Sequence, residues 1–138
     1  MNGLVKRIDE LCKEQKVFFG KGCSNKIIDA ARKKLNIDFP YDYYEYLSTY
    51  GVISFYATQW TGLGVTGYMN VVEATLEQRK LNPHFSKDLF VLEDLTIEGI
   101  IIAADKDGRV YEVQMDNQKK IYDSMVDYLD ECIKRKRK

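Results

Sequence analysis

The chain has 138 residues, 45% hydrophobic and 30% charged, with 21 basic and 21 acidic side chains. Those proportions describe a folded globular chain and exclude disorder, collagen and a bilayer span. At this length one core buries roughly two thirds of the surface that the unfolded chain exposes, so neither disulfides nor a metal is needed to hold it. The zero net charge conceals three blocks: residues 1–40 carry nine basic and five acidic groups, residues 41–133 carry seven and sixteen, and residues 134–138 are basic throughout. An acidic body disfavours nucleic acid and favours a basic protein surface, because steering follows the local field and not the total. With two prolines and nine glycines there is no room for a long linker, so we expect one domain over 1–133 followed by a basic tail over 134–138.

Apolar spacing predicts a first helix over about 3–16, with Leu4, Ile8, Leu11 and Cys12 on one face. A loop bearing Gly20 and Gly22 follows, then a second helix from about Asn25 to Asn36, capped by Ser24 or Asn25, with Ile27, Ile28, Ala31 and Leu35 as its apolar face. A third helix starts at Pro40 and stops at Gly51. Val52–Thr58 then begins a β-branched and aromatic texture. Asn70 and Glu73 have capping-box spacing ahead of one short helix, which Asn82-Pro83 ends. Leu89–Leu92, Gly99–Ala104 and Arg109–Gln114 read as strands, the last two joined by the turn Asp105-Lys106-Asp107-Gly108. A last helix runs from about Asp123 into the basic tail, with Ile121 leading in and Met125, Tyr128, Leu129 and Cys132 on its apolar face. Helices, then a strand meander, then a helix describe an α+β domain with an antiparallel or mixed sheet covered on one side.

The motifs that could carry chemistry reduce to structure. Gly62-Leu63-Gly64-Val65-Thr66-Gly67 fits GxGxxG, but the fingerprint works by starting a helix directly on a pyrophosphate. Here Tyr68, Met69 and Asn70 intervene and no second βαβ unit follows, so no dinucleotide cofactor is expected. Asp105, Asp107 and Gly108 suggest a calcium loop whose first and last ligand positions would be Ala103 and Gln114, so no metal is expected there. His84 is the only histidine and has no ligand or triad partner at useful spacing, which leaves zinc and nucleophilic chemistry without a basis. Cys12, Cys23 and Cys132 are odd in number and form no CxxC pair, which with the charge-interrupted amino terminus predicts a reduced, cytoplasmic protein without a signal peptide or membrane span.

What remains is surface. Five of ten tyrosines lie between Tyr41 and Tyr50. Tyr43, Tyr46 and Tyr50 fall with Leu47 at core spacing, their hydroxyls expected to reach water, whereas Tyr41 sits exposed at the helix start. Tyr41, together with Trp60 and Tyr68 on either side of the glycine loop, is expected near a partner, as are the acids Glu93, Asp94 and Glu98. Lys134–Lys138 is expected to be a solvated helix end.

Ala30-Ala31, Leu35-Asn36-Ile37, Phe39-Pro40-Tyr41-Asp42-Tyr43, Tyr46-Leu47, Tyr50-Gly51 and Phe55 resemble the SUKH superfamily, named partly for yeast cell-wall regulators of the Smi and Knr type. Gly62-Leu63 matches its "Gl" loop, Asp105–Tyr111 its "d..g.vy" hairpin, and Ile121–Leu129 the run into its final helix, so the resemblance covers nearly the whole chain. It implies a non-catalytic α+β domain with amino-terminal helices, about four to six mainly antiparallel strands and a carboxy-terminal helix. In bacteria it implies an immunity protein that binds and neutralises a cognate polymorphic toxin, often a basic nuclease domain, by occlusion. The alternative is a regulatory scaffold or adaptor of the same fold that binds a cellular protein other than a toxin.

Overall fold

The computed structural model describes residues 3–135. The elements in chain order are α1 (Gly3–Glu14), β1 (Phe18–Phe19), α2 (Asn25–Leu35), α3 (Tyr41–Thr49), β2 (Ile53–Phe55), β3 (Thr58–Trp60), a turn of 3-10 helix (Gly67–Met69) and α4 (Val71–Leu81). They continue as β4 (Phe90–Asp94), β5 (Ile101–Ala104), β6 (Val110–Gln114), β7 (Asn117–Tyr122) and α5 (Met125–Lys134). Local chemistry accounts for the helix ends. Ser24, Asn70 and Ser124 accept the first free N–H groups of α2, α4 and α5, and Asn36 closes α2 in the left-handed region at φ 56°.

The strands form two antiparallel ladders, β1-β2-β3 and β4-β5-β6-β7, in keeping with the expected helix–sheet–helix order. Thr61 stitches them together: its N–H donates to Leu92 O at 2.8 Å and its hydroxyl to Val91 O at 2.7 Å. The run Val52–Thr58, where the β-branched and aromatic texture begins, holds a hairpin that reverses at Tyr56, where φ is +47°. Two short or polar strands carried no usable signal. β1 has only two residues, and β7 is a polar edge whose two lysines suit an open sheet edge.

The four-stranded sheet is buried on both faces, a correction to the one-sided packing expected from the sequence. Phe90, Leu92, Ile102, Ala104 and Val110 face the main core with α1, α2, α3 and α5. Val91, Ile101, Ala103 and Val113 face a smaller core with Phe85 and Leu89, against which Ala74 of α4 packs. The unbroken apolar run of β5 follows from this two-sided burial. Ile27, expected in the core, lies 52% exposed. The inward tyrosines also differ from expectation: the Tyr43 and Tyr46 hydroxyls are buried and donate to Thr61 O at 3.2 and 2.9 Å, because the sheet junction offers an acceptor where water was expected. No helix among the described residues is long and apolar enough to cross a membrane.

The GxGxxG run serves the fold. Gly62 N–H donates to Met69 O and Leu63 N–H to Gly51 O, at 2.8 and 2.9 Å. A Cβ on Gly62 would sit 1.8 Å from Gly51 O, so only glycine lets these two backbone segments cross.

Candidate functional site

The site is organised by one extra residue in β4. Strict alternation would send Glu93 to the same side as Val91 and Asp94 to the side of Leu92. The register breaks between Val91, paired with Ala103, and Glu93, paired with Ile102, so Leu92 is the extra residue of a β-bulge. A bulge re-aims every side chain after it. Glu93 therefore turns into the main core and Asp94, paired with Ile101, turns outward.

Inside, Glu93 is 2% exposed and fully engaged. Its Oε1 accepts from the Tyr128 hydroxyl at 2.5 Å and its Oε2 from the Gln59 N–H at 3.2 Å. Arg135 Nη1 lies 3.2 Å from Oε2, and Arg135 Nη2 donates to the Tyr128 hydroxyl at 2.6 Å. Trp60 stacks on Tyr128 with ring centroids 5.9 Å apart. Burial pushes the Tyr128 hydroxyl far up and, with the negative Glu93 beside it, the Cys132 thiol up to about 11.

Outside, Asp94 lies at the head of a groove between α4 and β4–β5, a cavity of about 250 Å³. Val91, Ile101 and Ala74 give it apolar walls, Glu73 and Glu77 stand one helical turn apart along α4, and Tyr68 closes one end. The Tyr68 hydroxyl donates to Gln59 Oε1 at 2.8 Å, which holds the ring in place, and the ring remains 56% exposed. A second hollow of about 390 Å³ adjoins it and shares Asp94, with Tyr56 and Ile97 on its rim and Glu93 and Arg135 in its floor. Tyr56 and Ile97 are 75% and 60% exposed. The loop that carries Ile97 holds Thr96 and Glu98 at positive φ, 56° and 52°, a cost that non-glycine residues meet where the surrounding structure dictates a shape.

The structure thus brings Tyr68 and Asp94 to one groove, and leaves Glu98 exposed in the β4–β5 loop. Two expected surface residues are corrected. Trp60 is 0% exposed because β3 directs it onto Tyr128, and Glu93 is buried because the bulge turns it inward. Tyr41 is exposed at 63% but stands elsewhere, beside Asp107, Gly108 and Ser124. Arg135 is likewise corrected from solvated tail to partner of Glu93; residues 136–138 of that tail lie outside the described residues. Sequence reasoning missed Glu73, Glu77, Tyr56 and Ile97. The four-residue spacing of the two glutamates was the only available signal, and nothing in the sequence showed what they face.

No group of three histidine, cysteine or carboxylate side chains among the described residues is arranged to hold a metal. What the arrangement offers is a surface: carboxylates over apolar walls, with exposed aromatic and aliphatic knobs.

A search of curated proteins returns no match. The family model described as SUKH_5: SMI1-KNR4 cell-wall matches residues 1–134, from the first helix to the end of α5. With all but the last four residues under that one model, the chain belongs to the SUKH family, a non-catalytic domain with a protein–protein interaction role of the immunity or adaptor type.

Proposed function

We propose that this chain is an immunity protein that binds a cognate toxin, a nuclease domain with a basic surface, and neutralises it by occlusion. The observation that carries the reading is the face formed by α4, the β2–β3 turn and the β4–β5 loop. It presents Glu73, Glu77 and Asp94 together with exposed Tyr56, Tyr68 and Ile97. Carboxylates arranged in this way speed encounter with a basic partner and orient it, and the rings and Ile97 supply area that packs once docked. The free thiols Cys12, Cys23 and Cys132 suit a reducing, cytoplasmic setting, where such a toxin would otherwise act.

The test is capture of the partner with the tagged full-length chain from a lysate of the source organism. The expected outcome is one protein whose isolated toxic domain kills cells and is silenced by co-expression of this chain. Protection should be weakened by the double reversal Glu77→Lys with Asp94→Lys while the chain still folds cooperatively. Capture of a harmless housekeeping partner would overturn the immunity reading in favour of an adaptor, and full protection by the double reversal would remove this face from the interface.

A further inference from the structure

We infer that the groove between α4 and β4–β5 is an anchor pocket for one long cationic side chain, a lysine or arginine, supplied by the partner. The inference rests on the toxin-binding reading of this face and names the chemistry at its centre. Size is the first argument. About 250 Å³ is the room of on the order of eight water molecules, which suits a single extended side chain and falls short of the usual small-molecule site.

The lining is the second argument. Val91 and Ile101 are 1% and 2% exposed and with Ala74 form apolar walls, against which a methylene stem can lie while its charged head stays at the wet rim. Glu73, Glu77 and Asp94 stand at that rim. Among the described residues none of the three is in an ion pair, and no cation lines the groove. Among the described residues their side chains bond only to backbone: Glu73 Oε1 accepts from the Gly67 N–H at 3.2 Å and Asp94 Oδ1 from the Thr96 N–H at 2.8 Å. Three like charges around one cavity repel each other until a cation enters, and no described residue supplies one. The adjoining hollow shows the contrast, for there Arg135 already neutralises Glu93. Tyr68 at the groove end adds a ring face, which attracts ammonium and guanidinium alike.

The experiment uses the full chain and needs no toxin. Methyl resonances of Ala74, Val91 and Ile101 are followed by NMR during titration with N-acetyl-arginine amide, N-acetyl-lysine amide and, as an uncharged stem, N-acetyl-norleucine amide. Saturable shifts with either cationic probe and not with norleucine amide are expected, and the two cationic curves show which head group the rim prefers. The triple variant Glu73→Gln, Glu77→Gln, Asp94→Asn keeps the acceptors used by Gly67 and Thr96 and should bind about tenfold more weakly. No shift with either cation, equal shifts with norleucine amide, or undiminished binding by the triple variant would overturn the pocket. Failure of the probe titration leaves the interface reading standing, and failure to capture a toxin leaves the pocket standing, so the two claims fall separately.

Discussion

Burying a carboxylate as deeply as Glu93 costs several kcal/mol of hydration, and the fold offsets it with Arg135, the Tyr128 hydroxyl and the Gln59 N–H. Breaking such a pair leaves one charge uncompensated. Glu93→Gln or Arg135→Met should therefore each cost about 3 kcal/mol in urea denaturation, and deletion of residues 135–138 should cost as much as Arg135→Met. The double variant Glu93→Leu with Arg135→Met should recover part of the loss. Cys132 in the same cluster gives a pH signature. Its thiol is raised from 9.0 to about 11 by burial first and Glu93 second, so above pH 9 the unfolded chain releases the proton before the folded chain does. Its contribution is complete below pH 9 and declines as pH climbs through 11, a loss on the order of 2 kcal/mol. Thermal melts between pH 8.5 and about 9.5, below the ordinary tyrosine midpoint of about 10, should show the start of this fall in the native chain and a flatter profile in Cys132→Ala. Glu93 and Asp94 also mark where the sequence stops being legible. Both are acids at a strand end, and only the bulge at Leu92 decides which one meets Arg135 and which lines the groove.

Elements with strong local chemistry were readable for that reason. The caps at Ser24 and Asn70, the stop after Tyr50 and the Asp105–Gly108 turn each satisfy backbone groups within a few residues, so spacing alone reveals them. β1 owes its existence to pairing with a distant segment, Phe18 with Ser54, which two exposed phenylalanines cannot announce, and β7 pairs with the neighbouring β6 across Met115-Asp116 but is a polar run without strand alternation. The glycine motif lies between these cases, since its residues were plain and their purpose was not. That purpose gives a contrast within one loop. Gly62→Ala would drive a Cβ into Gly51 O and should abolish the cooperative melt seen by circular dichroism. Gly64→Ala meets open space, and its φ of +86° should cost only about 1 kcal/mol. Equal effects of the two substitutions would mean that the backbone crossing does not hold the sheet to α3.

At the scale of the whole molecule, net charge and local field make opposite statements. A neutral chain has no reason to attract a basic protein from a distance, yet Glu73, Glu77 and Asp94 are concentrated on one face, while much of the basic charge of residues 1–40 resides on α1 and α2. If the local field governs encounter, the site of a reversal matters and its size in net charge does not. Glu77→Lys and Asp88→Lys each change the total by the same amount. Glu77 stands on the groove, whereas Asp88 lines a different hollow with Asp38 and Asp107. In stopped-flow association with the captured partner at low ionic strength, Glu77→Lys should slow kon about fivefold and Asp88→Lys should leave it nearly unchanged. Added salt should bring the native rate down towards that of Glu77→Lys, because screening removes what the reversal removes. Equal slowing by both reversals would mean that total charge steers the encounter, and the acidic face would lose its claim to be the docking surface.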